Sequence, residues 1–343
     1  MIYIFSFVLL SIPFLLDLKR DRYVDWFIFL YLLLFISLPY SAGGDSMFYR
    51  EKFENNFSDI GLGYFFGSLF LLFQFLNLDY QLFKIFIAFI FLYFGFNFFK
   101  KLKVNYYFII PLLFPIFIII YGMGSLRQGL ALVFFFYFLS IKSPILRKIS
   151  FFLPATIHPS AIILNLFYLL SLIFFFKKKI FKNLKKINFY ILLAIFCGLS
   201  IFLLFINLEF IKLYYINYIK EQQMTSSGAI LRSSIALLSA ILFLNFKDKY
   251  KILESHFFTT ISWIVIISYP FVFFYSTPVD RVYVYFYPLQ FVTMSILLQT
   301  IQNKNLKLLV MYMVLLSYFI YLNVWIIFSE NFKYWEDYKF FFY

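Results

Sequence analysis

A chain of 343 residues that is 64% hydrophobic, with a single cysteine (Cys197), is not the sequence of a water-soluble domain. Apolar runs of roughly 17–25 residues, long enough to cross a bilayer, recur from end to end. The formal charge of +14 does not point to nucleic acid, because the lysines gather in short loops between apolar runs. One cysteine, two histidines and dispersed carboxylates argue against a disulfide framework or a multi-ligand metal site. The 56 Phe and 29 Tyr accompany abundant Ile, Lys and Asn, the composition of an AT-rich coding sequence, so they are not read as a sugar-stacking surface.

The first apolar segment is followed by KRDR and lacks a small-residue cleavage pattern, which predicts a transmembrane helix rather than a removed signal peptide. Basic clusters lie at 19–22, 100–103, 142–148, 177–186, 247–251 and 304–307, and they hold 20 of the 30 basic residues. Placing all six in the cytoplasm predicts helices near 2–17, 24–40, 80–99, 104–121, 125–141, 188–206, 230–246, 257–275, 282–301 and 308–328. Both termini then lie outside. The expected fold is all-α: a polytopic integral membrane protein of about 10–12 transmembrane helices, one membrane domain over 1–343. Its external parts are loop 41–60, loop 207–229 and a C-terminal tail, 329–343.

Two segments break the regular count. Residues 61–76 are short and glycine-interrupted, which predicts an interfacial or partly re-entrant helix. Residues 149–176 have basic clusters on both flanks and are too short for two crossings. Pro154 and Pro159 each remove a helix hydrogen bond. Two unequal half-helices meeting at Ile157-His158-Pro159 fit this pattern, tolerated where protein or a water-filled cavity satisfies the freed backbone. The alternative is a full crossing that overrides the charge rule.

Under this topology one face collects the unusual polar groups. Loop 41–60 holds Ser41-Ala42-Gly43-Gly44-Asp45, Arg127-Gln128 begins a helix, and His158 breaks one. Loop 207–229 ends in EQQMTSSG, with Arg232 close behind; Asp280-Arg281 opens a further helix, and the tail carries Trp335-Glu336-Asp337-Tyr338. Arginines beside helix N-termini make an anion site, since the helix offers unpaired N–H groups and the guanidinium a planar fork for phosphate oxygens. Each residue also has a plainer reading. Arg281 can pair with Asp280, Arg232 can mark a helix end, Asp45 can be a turn aspartate, His158 can satisfy a freed carbonyl, and Trp335 and Tyr338 can be interface anchors. Arg127 has no carboxylate within ten residues along the chain, and an arginine in hydrocarbon costs roughly 2.5–3.5 kcal/mol at mid-membrane.

Taken in order, GGDSMFY (with Asp45 and Tyr49), SLRQGLA at 125–131, IHPSAI at 157–162, DRVYVYF at 280–286 and the closing YWEDYKFFF make the chain resemble the EpsG/Wzy group of bacterial polysaccharide polymerases. Loop 207–229 matches nothing in that pattern, and the acidic pair often found near residue 60 is replaced by Asp59-Ile60-Gly61. The resemblance implies a multi-pass protein of the bacterial cytoplasmic membrane that joins undecaprenyl-diphosphate-linked oligosaccharide repeats at the outer face. It implies no cofactor or metal, because the diphosphate already activates the donor. Arg127 would stabilise the departing diphosphate, with Arg281 and Arg232 behind it. His158 or Asp45 would act as general base, and Gln128, Tyr49 and Asp280 would bind substrate. A chain-length regulator is the implied protein partner. An O-antigen ligase and a lipid-linked oligosaccharide flippase remain as other readings. The former would carry a larger external loop, and the latter a polar path reaching both faces. A membrane O-acetyltransferase would need its chemistry on the cytoplasmic side.

Overall fold

The computed structural model describes residues 1–39, 42–55, 64–102, 104–141, 143, 153–180, 226, 228–249, 255–329, 332–336 and 338. The expected span at 188–206 and nearly all of loop 207–229 lie outside the described residues, as do Asp59, Ile60 and Gly61. Among the described residues there is no β-strand, and six helices are long and apolar enough to cross a membrane. The chain is an all-α polytopic integral membrane protein. It divides into two compact units, Met1–Asn165 with Leu297–Tyr343, and Leu166–Ile296.

In the first unit the chain begins with α1 (Ile2–Leu15) and α2 (Arg22–Ser37). The Asp21 carboxylate caps α2 by accepting from the amides of Tyr23 and Val24. The segment expected as an open loop over 41–60 contains a helix, α3 (Ser46–Glu54). Next, α4 (Tyr64–Phe75) is about 18 Å long, too short for a full crossing. α5 (Tyr80–Phe99) starts on an Asp79 cap. α6 (Tyr106–Leu113) passes without a break into a π-helix over Phe114–Gly124. Pro111 inside α6 and Pro115 in the first turn of the π-helix remove two amide donors from this rod, and the change of register falls between them. Every residue of the combined helix but Ile120 is buried. α7 (Leu126–Leu139) follows, and a short helical turn over 153–157 ends at His158. A 3₁₀ turn (Pro159–Ala161) then leads into α8 (Ile162–Ile180), which belongs to the second unit from Leu166 onward, so the chain breaks where two prolines bracket it.

Aromatic contacts fix how the unit's ends are arranged. α13 (Lys304–Phe328) runs antiparallel to α1: Tyr3 meets Trp325, Phe7 meets Phe319 and Phe14 meets Tyr312. At one end of the unit Arg20 and Lys100 both approach Asp25, at 3.1 and 3.9 Å, and both lie over the ring of Tyr106. Lys101 donates to Ser140 Oγ at 2.6 Å at the C-terminal end of α7. Arg20 and Lys100, from two of the basic clusters, therefore share an end. The far ends of α2 and α5, about 25–30 Å away along the helices, carry residues 42–45, the start of α7 and the tail.

The second unit is built on α9 (Ala229–Phe246), α10 (Ser255–Ser268, extended by a 3₁₀ segment to Phe273), α11 (Ser276–Tyr283) and α12 (Tyr287–Thr300), whose last residues belong to the first unit. α9 and α10 pack along their length, with Phe243 on Phe258 near one end and Ser234 bonded to Tyr269 near the other. Thr293 Oγ1 on α12 donates to the Ser239 carbonyl of α9 at 3.1 Å. Asp280-Arg281 does not open a helix as expected: it lies in the last turn of α11. Pro278 explains the shift, because proline suits a first helical turn and the helix therefore starts ahead of Asp280.

Candidate active site

In the first unit the polar loop is built around a glycine that no other residue could replace without strain. Gly43 has φ +117, and a Cβ there would stand 2.3 Å from the Met123 carbonyl oxygen. This close approach lets Gly43 N–H donate to the Tyr334 carbonyl at 3.0 Å and Asp45 N–H to the Gly124 carbonyl at 3.3 Å. The loop is thus stitched between the end of the π-helix and α14 (Lys333–Glu336). A Cβ on Gly124 would fall 2.7 Å from the indole of Trp335, which fills the space beneath. Trp335 and Tyr338 are not loose interface anchors. The Trp335 carbonyl accepts from Tyr3 Oη at 2.7 Å, and Tyr338 Oη donates to the Phe35 carbonyl at 2.7 Å.

Asp45 precedes the first turn of α3 but its carboxylate makes no capping bond, so it does not serve the helix. Instead its Oδ2 accepts from Tyr49 Oη at 3.3 Å, one turn on. Tyr49 Oη in turn accepts from Arg127 Nε at 3.0 Å, and the guanidinium carbon lies 5.2 Å from the centre of the Tyr49 ring. Tyr49 is 3% exposed, and burial raises its phenol well above the ordinary tyrosine value, more than the Arg127 charge lowers it. A neutral phenol can accept from a cation and donate to an anion at once. Arg127, Tyr49 and Asp45 therefore form one hydrogen-bonded chain, with the Asp45 end exposed.

Arg127 owes its place to the irregular helix before it. The π register ends with Ser125 N–H on the Ile120 carbonyl at 2.7 Å, and α7 begins at Leu126. Gly129 lets the two helices touch, because a Cβ there would meet the Tyr121 carbonyl at 2.8 Å. Gln128 is buried on the same first turn of α7. His158 stands at the helix break in extended backbone (φ −141, ψ 122), its amide on the Pro154 carbonyl and its Nδ1 2.6 Å from Ser160 Oγ. The 3₁₀ turn that follows packs against α7.

The first unit also holds a residue that the sequence did not single out. Lys84 on α5 is 2% exposed and sends Nζ to the Pro39 carbonyl at 2.7 Å and to Ser46 Oγ at 3.4 Å. The available signal is a lone lysine in the apolar run QLFKIFIAFIF.

In the second unit the remaining candidates answer one another. Arg232 grips Asp280 with both arms of its fork, Nε to Oδ1 at 2.8 Å and Nη2 to Oδ2 at 2.6 Å. Ser226 Oγ donates to the same carboxylate at 2.9 Å, and its amide donates to Ser276 Oγ at 3.2 Å. The pair ties α9 to α11. Arg281 is exposed and stands outside this clasp, so Asp280 is not paired with its sequence neighbour. Among the described residues no group of three or more His, Cys, Asp or Glu side chains could hold a metal ion.

The model of the EpsG family matches residues 22–340, nearly the whole chain. No curated protein and no solved structure matches it.

Proposed function

The chain belongs to the EpsG family, and from that premise we propose that it is a repeat-unit polymerase. Its substrates would be oligosaccharide repeats carried on undecaprenyl diphosphate, joined at the outer face of the bacterial cytoplasmic membrane into a surface polysaccharide. The observation that carries this reading is the Arg127–Tyr49–Asp45 chain, which draws together two of the motifs on which the family resemblance rests.

In the proposed reaction a sugar hydroxyl of the incoming repeat attacks the anomeric carbon of the growing chain. The new glycosidic C–O bond forms as the bond from that carbon to the diphosphate breaks, and the electron pair leaves with undecaprenyl diphosphate. Arg127 is assigned to the developing negative charge. A preorganised donor in a water-poor site acts there without reorganisation. Asp45 is assigned the hydroxyl proton, because its carboxylate is exposed while still being held by Tyr49. His158, beside α7, is assigned to acceptor positioning together with Gln128. Arg232 and Asp280 already neutralise each other, which favours a structural clasp, and Arg281 is left as the second unit's exposed arginine for a substrate phosphate.

The test is a gel of surface glycolipid from a strain lacking the gene, restored with wild type or with Arg127→Ala at matched membrane levels. A long-chain ladder is expected with wild type and a single capped repeat with the variant. Full-length polymer from Arg127→Ala would remove the arginine from the chemistry. In the deletion strain, long chains stranded on undecaprenyl diphosphate would instead indicate a ligase, and single repeats held in the inner leaflet a flippase.

A further inference from the structure

Lys84 carries an amino group into the protein interior near the start of a transmembrane helix and meets no carboxylate there among the described residues. An intramembrane ionisable side chain is costly and calls for a specific use. Its two acceptors are informative. Pro39 is where the chain leaves α2, and Ser46 is where it enters α3, so one nitrogen holds both ends of the segment that delivers Asp45.

The first turn of α5 reinforces the same two points. Gln81 Nε2 donates to the Ser37 carbonyl at 2.6 Å, and Tyr80 Oη donates to the Ser46 carbonyl at 3.4 Å. Three polar side chains at the start of an otherwise apolar helix thus reach for the same segment. Packing alone does not explain the lysine. A methionine of similar length would fill the space without the cost of burying an amine, and such exchanges of buried charge for apolar volume are often neutral or stabilising.

We propose that Lys84 is a positioning residue for the Asp45–Tyr49–Arg127 chain, clamping both ends of the Asp45 segment from the first turns of α5. The inference rests on the polymerase reading for its catalytic consequence, but the clamp itself can be observed separately. The experiment uses the full chain in lipid nanodiscs, comparing wild type with Lys84→Met. Thermal unfolding of the variant is expected at or above the wild-type temperature. Amide exchange in the peptide covering 42–49 is expected to rise about tenfold, while α9 and α10 stay unchanged. With purified lipid-linked repeats, kcat is expected to fall about 100-fold, the effect of an ångström-scale misplacement, with KM within about twofold.

Unchanged exchange at 42–49 would overturn the clamp. Loosened exchange with wild-type kcat would overturn the positioning role. Failure of Lys84→Met to fold would also overturn it, making the lysine a structural residue. If wild-type protein does not polymerise the repeats, it is the proposed reaction that fails, and the exchange measurement still decides the clamp.

Discussion

Arg127 and Tyr49 stand 78 residues apart in the chain and meet through a 3.0 Å hydrogen bond, with the guanidinium also set over the phenol ring. The phenol passes that interaction on to Asp45. A neutral tyrosine between them fixes both while leaving the carboxylate exposed at the far end. Removing only the phenol oxygen, in Tyr49→Phe, keeps the ring beneath the cation and deletes both bonds. A bond to a charged group is worth about 1.5–3 kcal/mol, so polymerisation is expected to fall about 10–100-fold with little change in protein level. Initial rates of chain extension in membranes measure this, and a wild-type rate would sever Tyr49 from the reaction.

Asp45→Asn separates charge from shape. The amide keeps an oxygen for Tyr49 and cannot take a proton from an acceptor hydroxyl. Loss of a general base typically lowers rate by about 10²–10⁴. The expected result is single capped repeats on the gel with normal binding of lipid-linked substrate. If His158→Ala shows the larger rate loss and Asp45→Asn is mild, the proton belongs to the histidine.

Gly43 tests whether the loop's backbone matters as well as its side chains. At φ +117, with the Met123 carbonyl oxygen only 2.3 Å from where a Cβ would stand, Gly43→Ala must move either the loop or the end of the π-helix. The left-handed strain and the clash together are expected to cost about 1–3 kcal/mol and to shift Asp45 from Tyr49. A fall in thermal unfolding temperature together with lost polymerisation is the expected pair of outcomes. Gly44→Ala, whose Cβ would make only an ordinary 3.5 Å contact with Trp335, serves as the control.

How far these contacts could be read from the sequence depended on what surrounded each residue. Asp45 and Arg127 stood out because they are polar groups at the edges of apolar runs, and the break at His158 followed from Pro154 and Pro159. Periodicity could not find the π register from Phe114 onward, since a shift from i+4 to i+5 leaves a wholly apolar stretch unchanged in composition. Nor could it find the partner of Asp280: the sequence shows the neighbour Arg281, while the fold brings Arg232 from 48 residues away. Lys84 was hidden by the same apolar context that makes it unusual. Trp335 stood out in the tail, but in a chain in which 26% of residues are aromatic nothing marked its indole as buried.

The Arg232–Asp280 fork offers a prediction free of any assumption about chemistry. Both side chains are mostly shielded, at 25% and 19% exposure, so removing one leaves the other partly stranded. Breaking a fully buried pair costs about 3–5 kcal/mol. With this residual exposure, Asp280→Ala is expected to cost nearer ~1–3 kcal/mol, read as a lower unfolding temperature in detergent. Arg232→Met combined with Asp280→Leu should recover most of it, because neither charge is then left without its partner. A double-mutant cycle measures the coupling directly. If the double variant is stable but makes only single repeats, the pair acts on substrate and the clasp assignment falls. If it is stable and makes long chains, the fork is the tie between α9 and α11.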